Sequence, residues 1–107
     1  MSFDVSLMID TGGEQPAVVA DVGNITYNVG PMFREALGCG LRDLDGRNAG
    51  EILPLLRTAV ADMQDRPGVY KAMNPENGWG NSAITREFLE EFVRLCAEHP
   101  RTTVAVT

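Results

Sequence analysis

The stretch from Met73 to Asn81 reads MNPENGWGN and gathers more potential chemistry than any other part of the chain. Its nine residues hold three Asn, one carboxylate and the sole Trp. An indole offers a flat apolar face on which a sugar or a base can stack, and Glu76 with Asn77 and Asn74 can anchor polar groups beside it. The candidate contact residues are therefore Asn74, Glu76, Asn77 and Trp79, with Tyr70, Arg66 and Arg86 near enough in sequence to assist. The same residues also build turns. Asn74-Pro75 starts one, and Asn77-Gly78 is the strongest dipeptide for a turn with positive φ. On that second reading Trp79 folds back onto the helices as a staple, its N–H on a loop carbonyl, and the segment is a stiff joint. The sequence favours the joint, because turn formers this dense need no ligand to account for them, although rigid loops are also where binding residues sit.

Other spacings carry less. Cys96 and His99 are neighbours near a helix end, but two ligands do not make a zinc site, and Cys96 falls on an apolar stripe where a reactive thiol would not be. His99 suits a helix C-terminus as a partner of the dipole. GCGLRD at 38–43 lacks the third glycine of a dinucleotide fingerprint and follows a helix; TGGE at 11–14 lacks the Lys-Ser/Thr of a phosphate loop. Asp43 with Asp45, and Glu90 with Glu91, read as solvated charge, since no pocket is evident to raise one of the pair. No metal and no cofactor is expected, and no catalytic residue can be named.

Composition sets the frame. A chain of 107 residues with 44% hydrophobic and 22% charged residues has the make-up of one globular domain, 1–107. A net charge of −6 argues against a nucleic-acid partner, which demands Lys and Arg to displace phosphate counterions. Acidity can also mean mimicry of nucleic acid, but no long carboxylate block is present and solubility is the simpler reading. No apolar run is long enough to span a bilayer, so no membrane association is expected. MSFDVSLMID has no basic leader and carries two Asp, so a cytoplasmic protein is expected, with its two cysteines reduced.

The elements follow from periodicity. FDVSLMID alternates with Phe3, Val5, Leu7 and Ile9 on one side, the pattern of a half-buried strand. TGGEQP is turn chemistry, and PAVVADVGNITYNV is a second strand whose alternation breaks at Gly23-Asn24, as a bulge would require. The two predict an antiparallel hairpin with a long loop. PMFREALG predicts a short helix stopped by Gly38, and Leu41 and Leu44 are expected as minor core contacts beyond it. Asn48 with Glu51 forms a capping box ahead of a long helix bent by Pro54. DRPGVYKAM restarts as a short helix; Ser82 is expected to cap a third amphipathic helix running to Pro100. RTTVAVT returns as a third strand. The prediction is an α+β domain in the order β-β-α-α-α-β, a small, mostly antiparallel three-stranded sheet with helices on one face.

DVSLMIDTGG, NITYNVGPM, DGRNAGEILPLL and above all NPENGWG, followed by a helix and HPRTTVAV, resemble a group of small proteins of actinobacterial genomes and their phages. The resemblance covers nearly the whole chain and implies an origin, with no activity or catalytic residue attached; if phage-encoded, the chain would act in the host cytoplasm. The function expected is a small, non-enzymatic interaction protein acting on a host factor or self-associating, through an exposed sheet edge and the 74–79 loop. The alternative is a small-ligand-binding protein or enzyme with its site at that loop. A buried indole would favour the first; an open one beside a cavity would favour the second.

Overall fold

The computed structural model describes all 107 residues, Met1–Thr107. Alternation makes strand β1, Ser2–Ile9, in which Val5 and Leu7 are buried while Asp4 is exposed. It is the centre of a three-stranded sheet ordered β2-β1-β3, with β2 at Ala17–Thr26 and β3 at Thr103–Val106, both antiparallel to it. The face carrying Val5 and Leu7 takes the helices; Ser2, Asp4 and Ser6 point the other way, as period two demands. The fold is α+β, as the sequence pattern predicts.

The hairpin breaks register twice, once where β2 runs past β1 between Val5 and Ser6 and once between Leu7 and Met8. The extra residues on β2 are Val22 and Val19, so the irregularity expected at Gly23-Asn24 begins one residue earlier and recurs nearer the turn. Each extra residue twists β2, the edge strand, away from flatness. At the opposite edge, β3 is covered: Val104 N–H donates to the Arg47 carbonyl at 2.8 Å, and Val106 N–H donates to the Asp45 carboxylate at 2.8 Å.

After β2 the chain makes a 3₁₀ turn at Tyr27–Val29 and helix α1, Gly30–Leu37, which ends at Gly38 with a left-handed φ of 75°. Leu41–Leu44 is a further 3₁₀ turn in which Leu41 and Leu44 are only 2% and 0% exposed. They are full core residues, not the minor contacts their irregular stretch suggested. Helix α2, Ala49–Asp65, starts at Asn48, whose side chain accepts the Glu51 N–H at 3.0 Å. That is half of the expected capping box. Helix α3 is the short Pro67–Lys71, the restart expected at DRPGVYKAM though uncounted in the order β-β-α-α-α-β, and α4, Ser82–Glu98, is the second long helix.

The cap of α4 is Asn81, not Ser82: Asn81 Oδ1 accepts the Ile84 N–H at 2.9 Å. Ser82 sits one step inside. Its own N–H is taken by Asn74 Oδ1 at 2.8 Å, which ties the loop to the helix start. The core is the stripe Ile52, Leu56, Ala59 and Met63 of α2 against Phe88, Leu89, Phe92 and Cys96 of α4, closed by the sheet. Edge-to-face rings run through it, Phe3 to Phe33 at 6.3 Å, Phe33 to Phe88 at 5.9 Å and Phe88 to Phe92 at 6.2 Å. Such pairs add roughly 0.5–1.5 kcal/mol each beyond their buried area.

Candidate functional site

Two distant pieces of chain meet at the end of the hairpin where β1 begins and β2 ends. Ser2 lies opposite Thr26 and Asp4 opposite Asn24, so all four side chains share the face without helices. Asn24 Nδ2 donates to Ser2 Oγ at 2.7 Å and to Asp4 Oδ1 at 2.8 Å, fixing the amide. Asn28, in the following 3₁₀ turn, donates its own amide to Thr26 Oγ1 at 2.9 Å. The result is a row of amides and hydroxyls held by one another and, at Asn24, by the Asp4 carboxylate.

The 73–81 loop closes on this row. Asn77 turns the chain by accepting the Trp79 N–H on its side-chain oxygen at 2.9 Å, and its Nδ2 lies 3.4 Å from Asn28 Oδ1. Gly80 follows with φ +94°, a conformation L side chains rarely adopt, and packs so closely that a Cβ there would lie 2.7 Å from both the Thr26 and Val29 methyls. The loop is thereby pressed against the end of β2. Trp79 is left outside, 67% exposed. The expectation that the indole folds inward as a staple is overturned, because Gly80 brings backbone to the packing surface and sends the residue before it toward solvent.

Trp79 and Asn77 line an open cavity of about 510 Å³ together with Ser2, Asn24, Thr26, Asn28 and Met1. No charged side chain lines it. Of the four residues singled out in the loop, two face this cavity. Asn74 is spent on the Ser82 N–H, and Glu76 is exposed but does not line the cavity. Tyr70 and Arg86 come together at a different cavity of about 260 Å³. Tyr70 is fully buried and donates its hydroxyl to Asp62, which also takes two bonds from Arg66. Arg86 pairs with Glu90 at 3.0 Å.

The residues missed were Ser2, Asn24, Thr26 and Asn28. A signal did exist: Asn is depleted in strands and earns no burial there, and Asn24 and Asn28 stand inside an otherwise β-rich run. The groups with the largest shifts lie in the core or in hydrogen-bonded pairs away from this cavity. Burial pushes the Cys96 thiol up to about 12, so it stays protonated in the core. The Arg66 and Tyr70 hydrogen bonds hold the Asp62 carboxyl down to about 2, and burial with the Asp62 contact raises the Tyr70 phenol to about 12. Both cysteines are free thiols.

Comparison of the chain with models of protein families, with curated proteins and with solved structures finds no match.

Proposed function

We propose that this chain is a small binding protein whose recognition surface is the Trp79 cavity, and that its ligand is neutral and rich in hydroxyls, such as a saccharide. The carrying observation is the pairing of an exposed indole with a row of fixed amides and hydroxyls, Asn77, Asn28, Asn24, Thr26 and Ser2, and no charged side chain among them. The C–H face of a sugar ring stacks on an indole, while carboxamides donate and accept in one group and so suit hydroxyls. A phosphate-bearing ligand would want Arg or Lys side chains, and none lines this cavity. The open indole beside a cavity moves the ligand-binding alternative ahead of the pure interaction protein.

Saturation-transfer NMR with a mixture of maltose, cellobiose, lactose and chitobiose tests this. Transfer to ring protons of one or more sugars, lost in Trp79→Ala and weakened in Asn77→Ala, supports the reading. No transfer to any sugar at millimolar concentration removes it.

A second reading rests on the sheet edge. The outer side of β2 has no neighbour, and Ile9, Val18 and Val19 are 44%, 60% and 39% exposed at that end of the hairpin. An open apolar edge invites strand pairing with a second copy. Light scattering over a concentration series, with Val18→Lys as the disrupting variant, tests it; a monomer at every concentration excludes it.

A further inference from the structure

A second cavity, of about 280 Å³, lies where the 3₁₀ turn after β2 meets the loop after α1, and it is lined by Phe3, Tyr27, Arg34, Leu41 and Arg42 with Gly30 and Gly40. Its chemistry is the opposite of the Trp79 site. Arg42 is stacked against two rings, its guanidinium carbon 5.5 Å from the Phe3 centroid and 5.4 Å from that of Tyr27. The two rings are themselves in edge contact at 4.5 Å, and Arg42 Nη2 donates to the Tyr27 hydroxyl. The planar fork is therefore held in one orientation before any ligand arrives.

Arg34 reaches the same cavity from α1. Arg66, Arg86 and Arg94 each hold a carboxylate within 4.0 Å; the other five arginines hold none, and Arg34 and Arg42 are the two of those five that line one cavity. The adjacent Asp43 is engaged elsewhere, its Oδ2 accepting the Gly40 N–H at 2.8 Å. Two guanidiniums that line one cavity with no carboxylate paired to either, one of them already stacked on two rings, leave their charge for an anion that enters.

We propose that this cavity binds a phosphate monoester, with Arg34 and Arg42 sharing the phosphate oxygens and the Leu41 side taking a short organic group. A phosphate monoester carries close to two negative charges at neutral pH and presents three oxygens, which matches two forks; a carboxylate satisfies one. The cavity is at the small end for organic ligands, which limits the group attached to the phosphate.

The test is calorimetry and backbone-amide NMR on the full chain with phenyl phosphate, inorganic phosphate and benzoate as probes. Phenyl phosphate should bind with shifts centred on Tyr27, Arg34 and Arg42, inorganic phosphate more weakly at the same residues, and benzoate weakest of the three. Arg34→Gln, which removes an exposed side chain with no protein partner, should weaken binding about tenfold or more. Arg42→Lys keeps the charge but loses the fork and should weaken it comparably, while Arg101→Gln should leave it unchanged. Equal loss in Arg101→Gln would show general charge attraction and overturn the proposal. So would benzoate binding as tightly as phenyl phosphate, or absence of binding by all three.

Discussion

Gly80 and Thr26 lie against each other so closely that a methyl group on Gly80 would sit 2.7 Å from the Thr26 methyl. With Gly80 against Val29 and Asn77 beside Asn28, this contact presses the loop that carries Trp79 onto the strand that carries Asn24, and the Trp79 cavity lies between them.

Gly80→Ala meets two obstacles, the steric overlap with Thr26 and Val29 and a φ of +94°. The loop must lift from β2. We expect a loss of about 2 kcal/mol or more in chemical denaturation, together with altered Trp emission in the native state. Unchanged stability and emission would mean that the loop is not pressed onto the strand.

Asn81 caps α4 and Ser82 does not. Asn81→Ala should cost about 1 kcal/mol by losing the bond to the Ile84 N–H. Ser82→Ala should be close to neutral, because only the Ser82 backbone N–H is used, by Asn74. Matched urea melts of the two variants decide which residue holds the helix start.

Phe33 is fully buried and in edge contact with both Phe3 and Phe88. Phe33→Ala should destabilise by about 3–5 kcal/mol, the usual range for emptying a large aromatic site. A loss under about 1 kcal/mol would contradict a core built around that ring.

The Asp62–Tyr70 pair predicts stability losses at both ends of the pH scale. The Asp62 carboxyl is held down to about 2, so its contribution is present above its ordinary value near 4 and disappears as pH falls through about 2. The Tyr70 phenol is held up to about 12, so its contribution is present below its ordinary value near 10 and disappears as pH rises through about 12. Tyr70→Phe should abolish the Tyr70 component of the alkaline loss and shrink the acid one, read from thermal melts across both windows. An unaltered pH profile would place the phenol and carboxyl apart.

Periodicity carried the fold far. The alternation of Phe3, Val5 and Leu7 and the stripes of α2 and α4 are local patterns, set by which face is buried, and they were legible residue by residue. Leu41 and Leu44 were undervalued because a 3₁₀ turn has too few residues to show a period. The site was half legible. Asn77 and Trp79 stand close together, but Asn24 and Asn28 lie about fifty positions away, and only the closure of loop on strand brings them in. Nor can turn residues alone say which way an aromatic beside them points. That depends on the room at Gly80, a tertiary fact.

The most direct measurement is fluorescence of the single Trp, followed during acrylamide quenching with and without the disaccharides maltose, cellobiose, lactose and chitobiose. We expect ready quenching of the free protein, a saturable emission change with at least one sugar, and protection from acrylamide in its presence. An indole already shielded in the free protein, or one that stays equally open to quencher with every sugar, would contradict Trp79 as the platform of the binding surface.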